Sequence, residues 1–109
     1  MLLTCIIFVS ANAVAGSCNT TSCTSTIKRI YPYGPHAQVR IELDDVNLST
    51  LDCTAKEGNF LTLTKGDDQL LFSEVYSLLL TAAAKDDEVI FRIRNGSSSC
   101  ELLYVMYYP

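Results

Sequence analysis

Residues Asp67 to Lys85 read DDQLLFSEVYSLLLTAAAK, and the reading of this stretch decides the fold. It holds no Gly or Pro, and Leu, Ala, Glu and Gln, all good helix formers, fill most of it. Leu71, Val75, Leu78 and Ala82 follow steps of three and four, as do Phe72, Tyr76, Leu79 and Ala83. The two series predict a helix with a broad apolar face, wide enough to seat on a sheet or plug a barrel end. Asp67 and Asp68 stand where an N-cap and first-turn acids are favoured, and Lys85 stands in the last turn. A buried strand over Val75 to Leu80 is the competing reading; length and the run Ala82-Ala83-Ala84 favour the helix.

On both sides of the helix the pattern changes to that of strands. Upstream, Ile27 to Tyr33 predicts a first strand, ended by Pro32, Gly34 and Pro35. Ala37 to Leu43 alternates cleanly, with Val39, Ile41 and Leu43 against Gln38, Arg40 and Glu42. Asp44 to Leu51 is a polar excursion. A third strand is expected within Asp52 to Thr64, interrupted near Glu57-Gly58-Asn59. Downstream, Glu88 to Arg94 sets Val89, Phe91 and Ile93 against Ile90, Arg92 and Arg94. Asn95-Gly96-Ser97-Ser98 is a hairpin signal. Ser99 to Tyr108 is expected as the last strand, apolar on both faces, and so either central or covering an interface. The order β-β-β-α-β-β predicts a mainly β chain with one helix, an OB-fold-like five-stranded Greek-key barrel. The alternative is another small α+β sheet with one covering helix.

The chain has 109 residues, enough for one domain. Residues 1–15 are expected to be an export signal. Leu2 to Val9 is an apolar core and Ala13-Val14-Ala15 fits the cleavage pattern, although no basic segment precedes them. Residues 16–26 are rich in Ser, Thr, Cys and Asn and predict an irregular arm, and 27–109 form the OB-like domain. Export leaves Cys18, Cys23, Cys53 and Cys100, an even set that implies disulfides in a periplasmic or secreted protein. Three pairings are open; the simplest joins Cys18 to Cys23 and Cys53 to Cys100, the second closing a loop around the helix. Zinc is the rival, but no CxxC pair exists and the single His36 is remote from every Cys.

The net charge of −4 argues against general nucleic-acid or anionic-membrane binding. The apolar run at the N-terminus is too short for stable membrane insertion. Asp44-Asp45 reads as a solvated turn rather than a Ca²⁺ or catalytic pair, and His36 as a turn residue. No serine stands in a GxSxG motif, and no enzyme signature or cofactor is expected.

With an export signal, Cys53, the helix with Phe72 and Tyr76, a strand with Val89 and Phe91, and a last strand bearing Cys100, the spacing resembles the small B subunits of the subtilase-cytotoxin and pertussis-like toxins and their stand-alone exported relatives. The resemblance spans roughly Ile27 to Tyr107. It implies an OB-fold, a ring-shaped homo-oligomer and binding of cell-surface glycans, and it carries over no sugar-contacting residue.

Two functions follow as expectations. One is a non-enzymatic binding module for a glycan or small polar ligand, with Arg40, Arg92, Arg94 and Tyr31 as candidate ligand contacts. In that reading the arginines form an anion or sugar-acid site, with Lys28 or Arg29 nearby. The bland alternative is a solvated face paired with Glu42, Glu88 and Glu101. Tyr31, Tyr33, Tyr104, Tyr107 and Tyr108 either stack on a sugar or fill core and interface. The other function is an accessory envelope protein docking to a protein partner through its last strand.

Overall fold

The computed structural model describes residues 16–55 and 59–108. The expected export signal, the expected interruption at Glu57-Gly58 and the His36 side chain lie outside the described residues. The elements are β1 (Ser17–Cys18), β2 (Ser22–Ser25), β3 (Ile27–Tyr33), β4 (Gln38–Leu43), β5 (Phe60–Thr64), α1 (Phe72–Lys85), β6 (Val89–Ile93) and β7 (Leu102–Tyr107). They build two antiparallel sheets, one ordered β1-β2-β6-β7 and the other β3-β4-β5. Thr26 alone separates β2 from β3, so one run of chain passes from sheet to sheet. Among the described residues the sheets do not close into a barrel. A single isolated parallel bridge, Thr62 to Glu101, joins β5 to the start of β7.

The period-two pattern places the core. Val39, Ile41 and Leu43 of β4 are buried, and so are Val89, Phe91 and Ile93 of β6. Leu61 and Leu63 of β5 join them, and α1 adds Leu79 and Ala82. Phe72, Val75, Tyr76 and Ala83 pack against this core from the helix, which thus covers it with one face. No described helix is long and apolar enough to cross a membrane.

The helix begins at Phe72, not at Asp67. Tertiary bonds hold the preceding residues in a turn. Gln69 N–H donates to the Gly66 carbonyl at 3.0 Å, Gln69 Nε2 donates to the Leu102 carbonyl at 3.2 Å, and Arg94 donates to the Asp68 carbonyl. Asp67 and Asp68 therefore do not cap the helix; Leu71 occupies the N-cap without a side-chain bond. Leu71 leaves the apolar face and is 58% exposed. At the other end Asp86 adopts the left-handed conformation (φ 53°), and the amides of Asp86 and Asp87 bond the Ala83 and Ala82 carbonyls. This is a Schellman-type stop with Asp in the place where Gly is commonest.

The arm expected to be irregular carries β1 and β2, raising the strand count above the five expected. Its sequence lacks an apolar alternation because β2 turns only Cys23 and Ser25 into the core, and a buried serine carries no hydrophobic signal. The Ser25 hydroxyl bonds the Asp44 carbonyl at 3.0 Å, as a buried polar group requires. Gly16 lies so close to this turn of chain that a Cβ would fall 2.5 Å from Val46 Cγ1.

Disulfides join Cys18 to Cys23, direct partners across β1 and β2, and Cys53 to Cys100. This is the simplest of the three pairings open to the sequence. With sequence separations of 5 and 47 residues, loop entropy assigns them about 2 and about 4 kcal/mol. The longer bridge closes a loop that contains β5, α1 and β6, and it suits an oxidising, exported setting.

Candidate functional site

The four candidate ligand residues separate into two places. Tyr31 and Arg40 are cross-strand partners in the three-stranded sheet. The Arg40 guanidinium carbon lies 3.7 Å from the centre of the Tyr33 ring and 4.5 Å from that of Phe60. Cation–π attraction and the bond from Arg40 Nε to Gln38 Oε1 (3.3 Å) hold it flat on the sheet. Arg92 stands on β6 in the other sheet, opposite Tyr104, and donates to Asn95 Oδ1 at 3.4 Å. Arg94 ties the β6–β7 loop to the Asp68 carbonyl. The candidate arginines thus stand in two sheets, Arg40 in one and Arg92 and Arg94 at the other. β4 and β6 turn their apolar sides toward a shared core, so their polar sides look outward from different sheets. Glu42 instead pairs with Lys28 (3.6 Å) and Arg29 (3.2 Å), exposed pairs of little energetic weight.

A more concentrated arrangement lies where the first turns of α1 meet the end of the β3–β4 hairpin. A cavity of about 190 Å³ opens there. Pro32, Tyr33 and Val39 form its sheet wall, Phe72 and Tyr76 its helix wall, and Gln38 and Lys65 lie at its margin, leaving the lining almost wholly apolar. Phe72 and Tyr76 are four residues apart on one helical face, with ring centres 6.2 Å apart. The hairpin end is fixed by a 3-10 turn over Gly34–His36, with Pro35 inside it and Ala37 in the left-handed region (φ 48°). Lys65 N–H donates to the Ala37 carbonyl at 2.9 Å, which sets the lysine beside the opening. A second hollow of about 510 Å³ shares Lys65 and Phe72 and runs past Gln69 and Leu70, the latter 85% exposed.

Tyr33 was legible as a candidate for stacking, but Phe72 and Tyr76 read from sequence simply as core, and Lys65 as a turn residue. The available signal was the Phe-to-Tyr spacing together with Pro32-Tyr33-Gly34-Pro35. No local pattern tells which helical turn faces which hairpin.

Two groups outside this cavity have shifted acidities. The Ser73 hydroxyl donates to Glu74 Oε1 at 2.6 Å and holds that carboxyl below its usual range. Tyr107 donates to Asp87 Oδ2 at 2.5 Å, and this bond pushes the phenol up. Among the described residues no group of three or more His, Cys, Asp or Glu is placed to hold a metal ion. Comparison with protein-family models, with curated proteins and with solved structures finds no match.

Proposed function

We propose that this chain is an exported, non-catalytic binding module of OB-like connectivity that seats one ring of a glycan between α1 and the β3–β4 hairpin. The observation that carries the reading is the cavity walled by Tyr33, Phe72 and Tyr76. Aromatic faces stack on the apolar face of a sugar ring, and the walls of the cavity are almost wholly apolar. Its volume suits a single ring rather than a drug-sized ligand. The OB-like connectivity is supported by the path of the chain. Taking β2 and β3 as one bent strand gives the cycle β2/β3, β4, β5, β7, β6, with Thr62 and Glu101 as the parallel contact between β5 and β7. The spacing resemblance to toxin B subunits points toward the same ligand class.

The test is a glycan array, followed by NMR titration of the best hit. Shifts should concentrate on Tyr33, Phe72 and Tyr76, and Phe72→Ala should weaken binding at least about tenfold, a loss of about 1.4 kcal/mol. Binding that leaves these three residues unshifted, or an array with no hit, overturns the reading.

A further inference from the structure

The last strand, β7, does not belong to the aromatic cavity. β7 is the last strand of its sheet, paired on one side with β6. Its other side meets β5 at the Thr62–Glu101 bridge, and beyond that Gln69 Nε2 occupies the Leu102 carbonyl. The direction of the remaining backbone groups follows from β6. Ile93 N–H donates to the Thr21 carbonyl beside β2, and Arg94 N–H donates to the Glu101 carbonyl. Alternation along an antiparallel strand then turns Ile90 and Arg92 toward β7. Their partners Met106 and Tyr104 are therefore spent on β6, and Val105 and Tyr107 direct their amides and carbonyls away from β6.

Edge strands are normally defended by charge, proline or distortion. Leu102 to Tyr108 reads LLYVMYY, without a charged residue, Pro or Gly. Its irregularity is a bulge at its start, opposite Arg92 and Ile93. Leu103, Tyr104, Met106 and Tyr108 are exposed.

We propose that β7 pairs with β7 of a second copy, antiparallel and centred on Val105, joining two four-stranded sheets into one. In that register Val105 bonds Val105 of the other copy, and Tyr104 of each chain lies directly opposite Met106 of the other. The strand is thus self-complementary, with two aromatic–thioether pairs across the join. Charge selects the direction. Parallel pairing would stack the two Glu101 side chains, whereas the antiparallel register sends them to opposite ends of an uncharged strand. Such an interface is isologous and closes at two copies.

The experiment is sedimentation velocity on the disulfide-intact protein across a concentration series, with amide hydrogen exchange on the same samples. The expected result is a monomer–dimer equilibrium in which the Val105 and Tyr107 amides gain protection as the dimer fills. Met106→Lys places a charge on an already exposed position and should raise the dimer dissociation constant at least about tenfold, with circular dichroism and disulfide mapping unchanged. Tyr104→Lys is the second variant, should the first not fold. A protein monomeric at all concentrations, a ring of more than two copies, or a dimer whose Val105 and Tyr107 amides exchange freely overturns the proposal.

Discussion

β5 and β7 are strands of similar length, FLTLT and LLYVMY, and β7 is the more apolar of the two, yet they end in opposite situations. Every residue of β5 from Phe60 to Leu63 is buried, whereas Leu103, Tyr104 and Met106 of β7 are exposed. The difference lies in what covers the second face. Over β5 the chain carrying Ser99 and Cys100 folds back. The Thr62 hydroxyl on the outer face donates to the Ser99 carbonyl at 2.9 Å, while in the sheet plane its amide donates to the Cys100 carbonyl at 3.1 Å, and Cys53 fixes Cys100 there. The guanidinium of Arg40 lies over Phe60 on the same outer face. No comparable segment lies over the outer residues of β7 among the described residues. An apolar outer face is therefore not by itself a sign of a central strand; a cross-linked loop can cover it as well.

Loss of the cross-link should affect β5 most severely. Replacing Cys53 and Cys100 together by Ser should lower the unfolding free energy by about 4 kcal/mol, read by chemical denaturation. It should also raise exchange at the Thr62 amide before exchange rises in β6. Leu61→Ala comes next. Leu61 has no exposed surface, so about 3 kcal/mol is expected from lost transfer energy and the cavity. Leu103→Ala on β7 should stay within about 0.5 kcal/mol in the monomer. Equal costs at the two positions would refute the contrast. Thr62→Val keeps the shape but removes the hydroxyl bond to Ser99, and should cost about 1 kcal/mol.

The smallest effect concerns Tyr107, where β7 does have a polar anchor in Asp87. Its phenol is held above the ordinary tyrosine value. The folded state thus retains this proton more strongly than the unfolded chain, and stability falls as pH rises. The contribution is complete below the unfolded value of about 10 and is lost as pH climbs through the raised folded value. Tyr107→Phe should remove that component of the alkaline slope, measured as melting temperature against pH in parallel with the parent protein.

The strands β4 and β6 were legible because one face of each is core and the other polar, which prints a period of two in the sequence. The helix was legible for its apolar face but not for its start. Gly66, Leu102 and Arg94 draw the Asp67–Leu71 segment into a turn, and two of these three lie distant in sequence. β2 was illegible because its inward residues are a cystine half and a buried serine. The placement of the arginines in two sheets was illegible for a related reason. Arg40, Arg92 and Arg94 share alternation within their own strands, but alternation does not say which strands share a sheet. The aromatic cavity depends on Phe72 and Tyr76 meeting Tyr33, residues separated by a strand pair and a long loop.

The sequence by itself determined the mainly β class, the single helix, the inward faces of β4 and β6, and a simplest disulfide pairing. These follow from local periodicity, propensity and cysteine spacing, which act over a few residues or through chain connectivity. Tertiary structure alone decided the division into two sheets, the burial of both faces of β5 and the terminal place of β7 in its sheet. It also decided the meeting of α1 with the hairpin. Each of these turns on which apolar surface finds another first-rate partner across the core, and hydrophobic burial is non-directional. The same pattern of residues is compatible with several arrangements until backbone hydrogen bonds and the Cys53–Cys100 link select one.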